Sequence, residues 1–204
     1  KIPYSKEYYE LMPEPEPAGP PERPEWKVYF DDFGSHHHGH DKPGKEIPIG
    51  KTFAWAGRMW HIPAVYSCGK GLVVDVCVEI DPDALRAFQK KWWPNGQEGR
   101  NCTPEEEEQQ DAENPMTVRY QPTLTVNGKT QRRRSGIGFG WLPDSCRPPE
   151  EQGQRNQQEW ETIWLMEHYG LDPEKGWTFL RESFPWITKT RPALKSLSLS
   201  LEQS

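Results

Sequence analysis

Apolar and polar residues alternate most regularly from Leu72 to Ile80, where Leu72, Val74, Val76, Val78 and Ile80 make one unbroken apolar face. Val73, Asp75, Cys77 and Glu79 form the mixed opposite face. This period of two predicts an antiparallel strand that packs on one side and meets solvent or another element on the other. Upstream, Phe53 to Tyr66 is rich in aromatic and branched residues, and Gly69-Lys70-Gly71 supplies the reversal of a β-hairpin. Pro63 brings no N–H to a ladder, which places the first strand at an edge or puts a bulge there.

After Ile80 the period becomes helical. Asp81 suits the cap and Pro82 the first helical position; Leu85, Phe88 and Trp92 follow at helical spacing, until Pro94-Asn95-Gly96 ends the element. A second helix is expected over roughly 156–169, with Trp160, Ile163, Trp164 and Glu167 on its repeat and Gly170 as its stop. Asp172-Pro173-Glu174 predicts a third, short helix carrying Trp177, Leu180 and Phe184. Its Asp-Pro-acid start echoes residues 81–83, but no strand pair precedes Asp172, so chance explains the echo better than duplication.

Further strands are expected over 26–30, 116–120 and 123–126. Asn127-Gly128 closes a hairpin whose return runs from Lys129 to Arg134, and Leu197, Leu199 and Leu201 alternate with serine as a last strand. Residues 42–50, 95–115 and 143–154 read as loops, with Glu105 to Glu108 a solvated run. The expected fold is α+β: antiparallel β-hairpins packed with about three short helices. An extended Pro/Glu-rich segment, residues 1–25, precedes a single domain over 26–204. The first residue is Lys1, and the chain stops soon after the Leu-Ser alternation, so a fragment of a longer chain is expected.

A net charge of −6 argues against nucleic acid as the main partner, the only basic run being Arg132-Arg133-Arg134. No stretch reaches the roughly 20 apolar residues of a membrane span, so no membrane partner is expected either. Cys68, Cys77, Cys102 and Cys146 contain no C-x-x-C pair. They read as free thiols, which favours a reducing compartment, the cytoplasm.

Three patterns carry candidate chemistry. In an extended chain His36, His38 and His40 project to one side with Asp41 close by, a set that zinc could take with an open position for water. The plainer reading is a histidine-rich loop that binds transition metals adventitiously, so no cofactor is expected. If the hairpin turns at Lys70 with paired numbers summing to 140, His61 sits opposite Glu79 with Cys77 diagonal to it, the outline of an activated thiol; an ordinary cross-strand pair is the simpler outcome. The run Gly136-Ile137-Gly138-Phe139-Gly140 lacks the Lys-Ser/Thr of a phosphate loop and is a weak nucleotide signal. Asp75 and Glu79 lie about 13 Å apart along a strand, too far for the 5–9.5 Å of a glycosidase pair.

Ten tryptophans are unusual for 204 residues. Trp92, Trp160, Trp164 and Trp177 fall on apolar faces and read as core. Trp55, Trp60, Trp141 and Trp186 are the candidates for exposed ligand-binding platforms. The preferred function is thus a non-enzymatic binding module for a protein, peptide or glycan partner. The alternatives are a metal-dependent hydrolase on His36, His38, His40 and Asp41, and a structural domain of a larger polypeptide. Protein purified without a metal column is expected to carry no stoichiometric zinc and to melt unchanged when the three histidines become alanine; a tightly held ion lost in that variant would put the hydrolase first.

Overall fold

The computed structural model describes residues 21–31, 40–94 and 103–204. Its strands are β1 (Lys45–Trp55), β2 (Arg58–Ser67), β3 (Gly71–Ile80), β4 (Tyr120–Val126), β5 (Lys129–Gln131), β6 (Ser135–Trp141), β7 (Gly176–Pro185) and β8 (Leu197–Gln203). The helices are α1 (Pro82–Trp92), α2 (Pro104–Glu113) and α3 (Gln157–Tyr169). One sheet runs β1-β2-β3-β7-β6 and the other β5-β4-β8, with every pairing antiparallel. The fold is α+β, and no helix among the described residues is long and apolar enough to cross a membrane.

β3 is the centre of the larger sheet and is covered on both faces. Its even residues pack with Trp60, Ile62 and Phe184, with Leu85 of α1, and with Tyr120, Leu124 and Val126 of the smaller sheet. Each fully buried Val or Leu of that face contributes on the order of 1.5–3 kcal/mol. Its odd face meets other elements rather than water. Val73 packs with Val28, Phe30 and Tyr66, and Cys77 with Leu165 and Met166 of α3 and with Trp141, Trp177 and Phe179.

Asp75 therefore lies in the interior, 2% exposed, and Arg181 stands directly opposite it on β7, 5% exposed. Arg181 donates from Nε and Nη2 to the two carboxylate oxygens, each at 2.7 Å. The Tyr169 hydroxyl donates to Asp75 Oδ2 at 2.6 Å, the Tyr66 hydroxyl lies 2.6 Å from that of Tyr169, and the Trp26 indole donates to Tyr66 at 2.9 Å. One polar chain thus crosses from β3 and β7 through α3 and β2 to the segment at 26.

The local signals behave as read at several places. Asp81 caps α1 by accepting from the Asp83 amide, and α1 buries Leu85 and Phe88. Asn156 and Glu159 form a reciprocal capping box on α3, which Gly170 ends at φ 63°. Asn127 and Gly128 turn the β4–β5 hairpin at φ 50° and 77°. Pro63 falls within the bulge between His61 and Val65, in a strand that is internal to the sheet.

Other expectations are corrected. Residues 26–30 form no strand, although Val28 and Phe30 are buried. The region 53–66 is two strands, because Ala56 and Gly57 take positive φ and turn the chain, so β1 begins at Lys45 inside the supposed loop. The supposed loop at 95–115 contains α2, a helix with no buried residue that rests on a Thr103–Glu106 capping box. The short helix after Asp172 is instead β7, whose residues alternate across a central strand, and the echo of residues 81–83 marks no repeated unit. The two strands expected between 116 and 126 are one, β4; Pro122 fits there because β5 pairs only with residues 124–126.

Arg181→Met should lower stability by about 3–5 kcal/mol in urea denaturation, because it strands a buried carboxylate. The double variant Asp75→Leu with Arg181→Met should recover most of that loss; equal damage from both would show that packing, and not the unpaired charge, sets the cost.

Candidate functional site

The expected aromatic platforms are dispersed. Trp60 is 1% exposed, donates from its indole to the Trp55 carbonyl, and packs on Tyr120. Trp141 is 3% exposed, donates to the Pro173 carbonyl, and has the Arg147 and Arg155 guanidinium groups within 5.3 Å and 5.0 Å of its ring centre. These two are core residues and offer no platform. Trp55 and Trp186 are half-buried and line separate clefts, of about 320 Å³ and about 160 Å³.

Of the candidate metal ligands, His36 and His38 lie outside the described residues. His40 is exposed, and Asp41 is paired with Lys70 at 2.5 Å. Among the described residues no group of three His, Cys, Asp or Glu is placed to hold a metal ion. Cys68, Cys77 and Cys146 are buried and unbridged, and Cys102 lies outside the described residues.

The β2–β3 register differs from the expected one. His61 stands directly opposite Cys77, not Glu79, because the pairing next to the turn, Tyr66 with Val73, is already one residue off the expected register and the bulge at Pro63 adds one more. An even slip keeps the same face, so Glu79 stays close, 3.8 Å from His61 Nε2, while Lys175 holds its other oxygen at 2.6 Å. The chemistry nevertheless fails. Burial, and then the charge of Asp75, push the Cys77 thiol well above its usual range, and burial pushes His61 down. A protonated thiol in the core is no nucleophile.

The distinctive surface is the outer edge of the larger sheet. Among the described residues β7 is the only strand that pairs with β6. Gly136, Gly138 and Gly140 occupy alternate positions of β6, so one face of the strand carries no side chains. A Cβ on Gly136 would lie 2.5 Å from Glu182 Oε2, one on Gly138 2.8 Å from Leu180 Cδ2, and one on Gly140 2.3 Å from Met116 Cε. This bare face lets neighbouring groups come against the backbone.

A cleft lies towards each end of it. One, of about 290 Å³, is lined by Gly136, Gly138, Leu180, Glu182, Tyr120 and Arg133, among others. The other, of about 670 Å³, takes in Gly140, Leu142, Trp93, Arg86 and Cys146.

Glu182 is the unusual group of this edge. It is 2% exposed, and Tyr120 donates to its Oε1 at 2.6 Å. Oε2 accepts no hydrogen bond among the described residues; Arg133 Nε is 3.4 Å away. Burial raises the carboxyl above its ordinary range, against the opposing effects of the Tyr120 hydrogen bond and the Arg133 charge.

The two sheet edges are built differently. β1 carries Lys45, Pro48 and Lys51 and a register break between Pro48 and Lys51, features that keep a foreign strand from adding. β6 reads Ser-Gly-Ile-Gly-Phe-Gly-Trp, without charge or proline. Compared with known protein families, curated proteins and solved structures, the chain matches none.

Residues 136–140 form the edge strand β6 and not a nucleotide loop. The usable signal was the period: glycine at every second position describes a strand with one bare face. Glu182 had no local signal at all. The raised carboxyl gives a pH test. Between pH 4.5, the ordinary value, and its raised folded value, the native state binds more protons than the unfolded chain, so this group makes stability fall as pH rises through that window. Glu182→Gln should flatten that fall in urea midpoints measured from pH 4 to 8; an unchanged slope would place the proton elsewhere.

Proposed function

We propose that this protein is a non-enzymatic binding module that takes an extended peptide segment of a protein partner as an added strand along β6. The observation that carries the reading is the contrast between the two edges of one sheet: β1 is guarded by lysines, a proline and a bulge, whereas β6 has none of these. Added strands gain affinity from main-chain hydrogen bonds and specificity from pockets that receive alternate side chains. The free edge of β6 is where the main-chain bonds would form, and the clefts towards the two ends of its glycine face are where alternate side chains would go.

A glycan is the weaker occupant, since Trp60 and Trp141 are buried and present no flat face to a sugar. The hydrolase reading gains nothing from His40 or Asp41, the second of which is engaged by Lys70.

A displayed library of random 12-residue peptides is expected to yield binders. Hydrogen exchange of the complex should then protect amides of 135–141 and leave 45–55 unchanged. Ile137→Lys, which puts a charge on an exposed edge position, should weaken those binders about tenfold or more while melting is unaltered. No enrichment, or binders that protect only other surfaces, would leave a structural domain as the better reading.

A further inference from the structure

We propose that the edge-strand site selects a basic residue, whose cationic head is bound by Glu182 at the Gly136 end of β6. This inference rests on the peptide-binding reading for its ligand, although the cation site itself can be tested alone. A side chain 3% exposed that keeps one oxygen without a donor among the described residues is a costly arrangement in a folded core. The missing partner must be a donor, and a positively charged one gives the strongest bond to a carboxylate.

The route to it is defined by an absent side chain. Any residue other than glycine at 136 would put its Cβ 2.5 Å from the waiting oxygen. The adjoining cleft of about 290 Å³ is large enough for the aliphatic stem and head of one lysine or arginine.

Arg133 now occupies the outer side of this carboxylate. Its contacts are long, 3.4 Å from Nε to Oε2 and 3.5 Å from Nη1 to Oε1, and its side chain is 40% exposed. Arg133 thus acts as a loosely held stand-in that the ligand's cation replaces, turning outward into solvent as it does so. This exchange keeps one positive charge against one carboxylate, where two cations together would repel. It also sets an unusual expectation: deleting an arginine should strengthen the binding of a cation.

The probe is n-butylammonium, titrated into ¹⁵N-labelled protein while the Gly136 and Gly138 amide shifts are followed, with 1-butanol as the uncharged control. Saturable shifts are expected with the cation only, lost in Glu182→Gln and tighter by severalfold in Arg133→Ala, provided each variant melts as the parent does. In parallel, peptides enriched on the parent should share a lysine or arginine at one position, and Glu182→Gln should still bind peptides but without that preference.

Cation shifts that survive in Glu182→Gln, or enriched peptides with no basic position, would overturn the assignment while the edge-strand reading stood. Cation binding that depends on Glu182, with no peptide enriched, would uphold the carboxylate site and sink the edge-strand reading instead. Weaker cation binding in Arg133→Ala would overturn the exchange, because Arg133 would then be holding the site in shape and not standing in for the ligand's cation.

Discussion

The buried pair of Asp75 and Arg181 is the constraint on which the larger sheet depends. Two charges taken from water stabilise little by themselves, since desolvation offsets most of their attraction. Their effect is on register. In β7 a slip of one residue against β3 would turn Arg181 to the other face and leave Asp75 alone in the interior. The pair also has reach, because Tyr169 brings α3 to it and Tyr66 and Trp26 bring β2 and the segment at 26. A cluster of apolar side chains could be repacked in several ways; a bidentate ion pair with a phenol on one of its oxygens has few satisfactory geometries.

With the centre fixed, the margins of the sheet are left for other uses. β6 joins through β7 alone, and β7 is held along its whole length by β3. An edge strand built from alternate glycines has little propensity of its own and no bulky cross-strand pairs on its bare face. It persists because its neighbour is rigid. The arrangement thus concentrates stability in the interior of the sheet and leaves little of it at the rim.

How much of this was legible in the residues depends on where each element's cause lies. α1 and α3 could be read because their causes are local: a cap, a proline or capping-box glutamate, apolar residues at helical spacing and a terminating residue. β3 and β8 could be read from clean alternation. β7 could not, because Gly176 to Pro185 mixes Arg181 and Glu182 with apolar residues and becomes a central strand only when β3 and β6 supply partners. The opposite face of β3 was open between solvent and another element for the same reason. Asp75 suggests solvent until its arginine, more than a hundred residues away, is known. α2 buries nothing, so no apolar stripe announced it, and only Thr103 with Glu106 marked its start. The tryptophans misled for a simple cause: composition counts them, but burial depends on neighbours that composition does not specify.

Arg181 and Glu182 bring these points together, since they are adjacent in β7 and so face opposite sides of the sheet. Both are almost wholly buried. Arg181 donates two good hydrogen bonds to a residue directly across the ladder. Glu182 finds Tyr120 for one oxygen and only a distant, half-exposed arginine for the other. Its cross-strand neighbour on β6 is Gly136, which supplies no atom to complete the shell. A core designed only for stability would close that gap with a donor, because an unsatisfied buried acceptor costs about 1–3 kcal/mol. That gap lies at the unguarded edge, against the glycine face of β6, and it is the observation on which the proposed cation site rests.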